Sequence, residues 1–157
     1  MKAAVMHLLV TVVWTFLHGK TTMAGFLVGA IASYFLLWVL QDVLHCGNYV
    51  RRVRALVLFF FHFLWSMVRS NFEMAILSLS PGVGQLRGCF TRYEVHGLTP
   101  VETVLLAQFI NLTPGTTVAD RDEEGHFILH SFPAIDADRL SQKIDHNLKA
   151  RILAFTR

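Results

Sequence analysis

The sequence predicts a chain of two parts, a membrane α-helical half over residues 1–80 and a small α+β domain over residues 81–157. Hydrophobic residues make up 54% of the chain and charged residues only 16%, with a mean hydropathy of +0.47, which is more apolar than ordinary soluble domains. Up to Ser80 the chain contains six Lys or Arg and two acids, whereas the remainder contains eight and nine. Charges at the density of the second half are typical of a solvated surface, and the glycine-rich stretch PGVGQLRGC separates the two patterns.

Two uncharged segments at the N-terminus predict a membrane-spanning helical hairpin. The first lies between Lys2 and Lys20, and the second extends from Thr21 to Gln41. About 20 apolar residues cross a hydrocarbon core of roughly 30 Å. A cleaved signal peptide is the alternative for the first segment, but no A-x-A site follows it. The connection HGKTT is short, so both outer ends of the hairpin are expected on the same side of the membrane.

Small residues in the second segment predict a close helix contact. Gly25 and Gly29 form a GxxxG pattern, and Ala32 lies near them. Small residues at this spacing let a neighbouring backbone approach in lipid, where no hydrophobic force drives helices together. We therefore expect Gly25, Gly29 and Ala32 to pack against another helix.

The segment after the hairpin carries three arginines, Arg51, Arg52 and Arg54, whereas the hairpin tip carries only Lys20. By the positive-inside rule, the arginine segment and the N-terminus are cytoplasmic. Because the basic residues flank apolar segments, anionic lipid headgroups are favoured over nucleic acid as their partner.

A third apolar segment predicts an amphipathic helix within residues 53–80. Its uncharged run, residues 55–68, would extend only about 21 Å, which is short of a bilayer core. Polar residues recur on one helical stripe, which we call the polar stripe: His62, Ser66, Arg69 and Glu73. We interpret the helix as lying in the cytoplasmic membrane interface. A tilted span with the stripe turned toward protein is the alternative.

The second half predicts a βαββα order. Alternating residues from Phe90 to His96 predict a strand, and Thr99 with Pro100 and Glu102 gives the spacing of a helix capping box. A Gly-containing acidic turn at residues 122–125 joins two further strands. The helices are expected to bury these residues: Val101, Val104, Leu105, Phe109 and Leu112 in the first, and Leu140, Ile144, Leu148, Ile152 and Phe155 in a last helix over 136–155. Such a domain resembles a truncated ferredoxin-like module.

The sequence predicts no catalytic, cofactor or metal site. Neither a Walker loop nor a GxGxxG or GxSxG pattern occurs. The acids at residues 120–124 lack the spacing of a calcium loop and are interpreted as a solvated hairpin tip. His126 and His130 would stand about 13 Å apart along a strand, too far to share a metal. Cys46 and Cys89 have no neighbouring partner and are interpreted as free thiols.

The order of these features, together with LLAQFINLTPGT and FILH, resembles the E subunit of the multisubunit Na+/H+ antiporter, the Mrp, Mnh or Pha family. The resemblance covers nearly the whole chain, and Leu105 to Thr116 is its most specific stretch. Asn111 stands where the family often has threonine. The family-like turn follows it: Leu112, Thr113, Pro114, Gly115 and Thr116.

The resemblance implies an accessory, non-enzymatic subunit of a bacterial plasma (inner) membrane assembly that exchanges cytoplasmic sodium for external protons. Its partners would be other membrane subunits and the bilayer, with Na+ and H+ handled by the whole complex. The two predicted spans agree with this role, since they contain no Asp, Glu, Lys or Arg. Two alternatives remain open: an ion entrance formed by the polar stripe, and a membrane-anchored ligand-sensing module.

Overall fold

The computed structural model describes residues 2–19 and 22–157, and the side chains of all of these except Val83. Lys20 and Thr21, which the sequence puts at the hairpin tip, lie outside the described residues. The chain divides into two compact units, one ending at Arg54 and one beginning at Ala55. The helices and strands are α1 Lys2–Leu17, α2 Met23–Val39, α3 Gly47–Leu79, β1 Cys89–Tyr93, α4 Pro100–Asn111, β2 Thr116–Arg121, β3 Phe127–Ser131, α5 Ala137–Ile144 and α6 Ala150–Thr156, with a 3-10 turn at Val83–Gln85 and a π turn at Asp145–Lys149.

In the first unit, α1 and α2 form a pair of packed apolar helices. Thr22 caps α2 by accepting a hydrogen bond from the backbone N–H of Gly25. The two helices have 16 and 17 residues, which are shorter than the predicted segments. Among the described residues, α3 alone is long and apolar enough to cross a membrane by length and composition.

The third helix differs from its prediction in length. α3 is continuous over 33 residues, or about 50 Å. It includes Arg51, Arg52 and Arg54, which the sequence puts in the segment between the hairpin and the third helix. The division between the two units falls within this helix rather than after Ser80, where the composition changes.

In the second unit, the three-stranded sheet is confirmed, with the order β1-β3-β2. β3 pairs antiparallel with both neighbours, so β1 and β2 run parallel on either side of it, as in a split βαβ unit. Alternate side chains, Tyr93 of β1 and Leu129 of β3 among them, are buried in a core shared with α3, α4, α5 and α6. Phe90 and Arg92 point from the other face and are exposed. The helices therefore cover one face of the sheet.

The predicted buried face of α4 is correct only in part: Leu105 and Phe109 pack against the core as expected. Val101, Val104 and Leu112 are exposed, whereas Leu106 and Ile110 are completely buried. Because α4 is apolar on most of its circumference, residue spacing alone could not identify the inner face. The polar residue Glu102, buried on the same side as Leu106 and Ile110, marks that face.

The last predicted helix is interrupted by a π turn between α5 and α6. Leu140, Ile144 and Ile152 are buried as expected, and Leu148 and Phe155 pack against the core. Residues four apart drift by about 40° per step on a regular α-helix. The π turn adds a residue to one turn, which brings Ile152 back to the core.

The predicted capping box at the start of α4 is confirmed and is part of a larger carboxylate site. Glu102 accepts hydrogen bonds from the Thr99 backbone N–H at 2.8 Å, the Thr156 hydroxyl at 2.7 Å and the Arg157 guanidinium at 3.0 Å. The Arg157 hydrogen bonds, followed by those of Thr99 and Thr156, hold the pKa of Glu102 well below its usual range. This carboxylate ties α4 to the end of α6.

We predict that Glu102→Gln lowers the melting temperature at pH 7 and weakens its dependence on acid. A carboxyl whose folded pKa is depressed stabilises the fold above its unfolded pKa of about 4.3, and this contribution is lost as the pH falls toward the folded pKa. Thermal melts of the full chain in detergent between pH 7 and pH 3 measure the effect. Glu94→Gln is the control, since Glu94 is exposed and pairs with the equally exposed His96. Equal acid dependence of the Glu102 variant and wild type would contradict this assignment.

Candidate functional site

The polar stripe of α3 forms one wall of a polar cavity of about 280 Å³. The opposite walls come from the turn after α4, the end of α5 and the π turn, all within the second unit. All four residues of the stripe contribute to the lining, as the helical spacing predicts. The lining residues are His62, Trp65, Ser66, Arg69, Ser70, Glu73, Thr113, Lys143 and Asn147.

Within the stripe, Arg69 and Glu73 form an exposed ion pair, with 2.7 Å between Nε and Oε1. Such an exposed pair contributes little to stability. His62 interacts with the Asn147 side chain and lies in the electrostatic field of Arg151 and His146. The Nε2 atom of His62 is buried and has no hydrogen-bond partner among the described residues.

The charges around the cavity are predominantly positive. Arg69 and Lys143 line it, and Glu73 is its single acid, while Arg151 adds a further positive charge near His62. Since Glu73 already pairs with Arg69, the remaining field favours an anion over a cation.

The family-like turn is a packing junction between α3, α4 and the sheet. Leu112 is the C-cap of α4, and the Thr113 hydroxyl donates to the Phe109 carbonyl at 2.9 Å. The Ser70 hydroxyl of α3 donates to the Pro114 carbonyl at 2.9 Å. The turn leads into Thr116, the first residue of β2. Asn111, where the sequence departs from the family pattern, accepts from the Val118 backbone N–H at 2.8 Å.

Gly115 is required in this turn by its backbone conformation and its surroundings. Its φ is +89°, and a Cβ atom would lie 2.9 Å from the Phe132 carbonyl oxygen. Its own carbonyl accepts from the Phe132 N–H at 2.9 Å. A side chain here would be strained and would also displace the backbone that follows β3.

The GxxxG residues of α2 lie in the first unit. A Cβ atom on buried Gly29 would be 3.0 Å from Trp14 Cδ1 and 3.2 Å from the Thr11 carbonyl oxygen. Gly29 therefore packs against α1 of this same chain. Gly25 and Ala32 are half-buried.

The hairpin contains a set of polar contacts, which we call the polar seam, that the sequence did not predict. The hydroxyls of Thr11 and Ser33 share a buried hydrogen bond of 2.7 Å between the two helices. His7 contacts the Ala30 carbonyl through Nε2 at 2.9 Å and the Tyr49 hydroxyl through Nδ1 at 2.6 Å. Since a carbonyl only accepts, Nε2 carries the proton and, in a neutral ring, Nδ1 accepts from Tyr49. The recurrence of His7 and Thr11 four residues apart was the available signal.

The acidic hairpin tip brings together three groups that could hold a metal ion. Ligand atoms of Asp122, Glu124 and His126 lie within 4.8 Å of one another. Arg92 is 2.9 Å from the Asp122 carboxylate and 3.4 Å from that of Glu124. The guanidinium thus already supplies the positive charge that these carboxylates require. His130 lies elsewhere, with its ring against Phe90.

Comparison with known proteins gives relatives of nearly the same length. The family described as "Na+/H+ ion antiporter subunit", MNHE, matches residues 7–155. The E1 subunit of a Na+/H+ antiporter of Staphylococcus epidermidis is 30% identical over 146 residues, which cover 92% of this chain and 91% of the relative. The E subunit of a Na+/H+ antiporter of Alkalihalophilus pseudofirmus is 26% identical over 153 residues, covering 97% and 96%.

A solved structure with a similar fold is a chain of the membrane-bound sulfane sulfur reductase, an archaeal respiratory membrane complex. The similarity has a TM-score of 0.52 and 19% sequence identity, and it covers 92% of this chain and 95% of that one. This similarity concerns the fold. The family match over residues 7–155 decides the membership: the chain belongs to the MNHE family of Na+/H+ antiporter subunits.

Proposed function

We propose that this chain is the accessory subunit that holds the ion-translocating subunits of a multisubunit Na+/H+ antiporter together at the cytoplasmic face of the membrane. Membership of the family makes the chain a transporter component, and its partners are other antiporter subunits. The assembly role rests on the part of α3 after Arg54, where the α+β domain covers one side of the helix and the other side is apolar and exposed. We call this the two-sided environment of α3.

One side of α3 is covered by the α+β domain. Phe59 and Phe63 are buried against Phe109. The ring centroid of Phe109 lies 4.7 Å from that of Phe59 and 4.8 Å from that of Phe63. Further along the helix, Ser70 bonds to the turn after α4. The domain therefore follows this side of the helix for about 16 Å of its length.

The other side of α3 is apolar and exposed. It presents eleven large hydrophobic side chains: Leu56, Val57, Leu58, Phe60, Phe61, Leu64, Trp65, Val68, Phe72, Ile76 and Leu79. An exposed apolar surface of this extent is typical of a membrane or protein contact. Because a domain with a charged surface covers the opposite side, this part of α3 lies along the membrane interface in our proposal.

The same proposal puts the α1–α2 hairpin across the membrane and the α+β domain in the cytoplasm of a bacterium. The exposed arginines Arg51, Arg52 and Arg54 support this orientation, because basic residues are retained on the cytoplasmic side. The hairpin's exposed side chains are almost entirely apolar, as expected for contact with lipid and membrane subunits.

Deleting this chain is the test of the assembly role. We expect the remaining subunits to be recovered from detergent in a dissociated state, with antiport lost from vesicles prepared from the same cells. Co-purification on a tag carried by another subunit measures assembly, and re-expression of the chain in trans is the control. An intact and fully active complex without this chain would contradict the proposal.

A second candidate function is an ion entrance through the cavity, because the polar stripe lines it. Glu73 is the single acid of the lining, so Glu73→Gln is the direct test. We expect normal Na+/H+ exchange at equal complex abundance, since the positive surroundings disfavour a cation. Ser78→Ala, also on the exposed part of α3, is the control. A selective loss of exchange in the Glu73 variant would instead support the entrance.

A further inference from the structure

We propose that the polar cavity between α3 and α5 binds a phosphate-bearing anion, with the headgroup of an anionic phospholipid as the source that its position favours. This inference rests on the proposed location of α3 at the membrane interface. It assigns a ligand to a cavity that the assembly role leaves unused.

The cavity has the size and the donors that such a group needs. Its volume of about 280 Å³ greatly exceeds the roughly 10–15 Å³ that holds one water molecule. Ser66 and Asn147 contribute a hydroxyl and an amide to its lining. His62, which interacts with the Asn147 side chain, also lines the cavity. A phosphate group therefore fits the cavity and meets polar side chains in its wall.

Two cationic side chains line the cavity, and one of them is already paired with a carboxylate. Arg69 pairs with Glu73 through Nε, and its two terminal nitrogens lie outside that contact. Lys143 forms no ion pair within residues 2–19 and 22–157. Arginine and lysine are the side chains that most often bind phosphate. A phosphate would be held between α3 and α5 by one cation from each helix.

The position of the cavity favours a lipid source. Trp65 lines the cavity and is 71% exposed among the apolar side chains of α3. Tryptophan is enriched where hydrocarbon meets headgroups. The cavity therefore adjoins the surface that we assign to the membrane interface, at the depth of a headgroup.

Native mass spectrometry of the delipidated full chain in detergent tests this proposal with three probes: phosphatidylglycerol, phosphatidylcholine and inorganic phosphate. We expect phosphatidylglycerol to bind about tenfold more tightly than phosphatidylcholine. Lys143→Gln and Arg69→Gln should each weaken phosphatidylglycerol binding by about tenfold, as expected for loss of one charge-assisted contact. Arg139→Gln, an exposed arginine one turn earlier on α5, should leave binding unchanged.

Competition by inorganic phosphate that is abolished in Lys143→Gln would support a phosphate site and identify the free anion as a ligand too. Equal binding of the two lipids with no phosphate binding would overturn the proposal, as would unchanged binding in Lys143→Gln. Circular dichroism of each variant verifies the fold, and Lys143→Gln changes an exposed side chain outside the core. The two proposals are tested separately, because the deletion strain reports on assembly and the purified variants report on lipid binding. Co-purification of the same variants with the other subunits shows whether the loss of lipid binding also affects assembly.

Discussion

Replacing Phe59 with alanine should lower the free energy of unfolding of the 55–157 unit by about 3–5 kcal/mol. Phe59 is 2% exposed, and its ring contacts Phe63, Phe109 and Phe155 at centroid distances of 4.7 to 5.9 Å. Truncation would leave a cavity among three aromatic rings. Since domains of this size are stable by only about 5–15 kcal/mol, the domain should separate from α3 under mild denaturant.

Phe61→Ala is the matched control, because Phe61 belongs to the same helix but is 63% exposed. Urea titrations of the full chain in detergent, followed by circular dichroism, compare the two variants. We expect the Phe61 variant to keep wild-type stability, because its side chain lies outside the core. Equal destabilisation by both substitutions would contradict the two-sided environment of α3.

Gly29→Leu should open the α1–α2 hairpin. A Cβ atom at this position already meets the Thr11 backbone oxygen at 3.2 Å, and the backbone cannot move aside as a flexible side chain can. Overpacking of this kind costs about 1–3 kcal/mol or more. Buried Cys46 packs in the same unit against Leu37. Opening of the hairpin should expose this thiol, so its reaction with a maleimide should accelerate by about tenfold.

The labelling is performed with Cys89 replaced by serine, which leaves Cys46 as the single thiol of the sequence. Val28→Leu is the control for Gly29→Leu, since Val28 is the adjacent residue of α2 and is 56% exposed. A Gly29 variant with the labelling rate of wild type would show that α1 does not need a glycine opposite it.

Much of the fold was predictable because local chemistry determined it. The capping box of Thr99 and Glu102 located the start of α4, and alternation located β1. The length of α3 was not predictable. The charged segment from Arg51 to Arg54 was expected to precede the helix, but arginine has good helix propensity. The inner face of α4 was predicted only in part, since tertiary contacts determine which of several apolar faces is buried.

The candidate site was predictable only on the side that one helix supplies. The spacing of His62, Ser66 and Arg69 placed these residues on a single face of α3. The opposite wall, with Lys143 and Asn147, comes from a much later part of the chain, and one sequence contains no signal for such a pairing. The subunit-packing role of Gly25 and Ala32 remains a prediction.

The polar seam of the hairpin permits a single register of its two helices. A slip by one turn, about 5.4 Å, would part His7 from the Ala30 carbonyl and Thr11 from Ser33. It would also move Gly29 away from Thr11 and Trp14, which pack too closely to accommodate a larger residue there. Sliding of α1 along α2 is thereby suppressed, so the outer surfaces of the two helices keep a fixed position relative to each other.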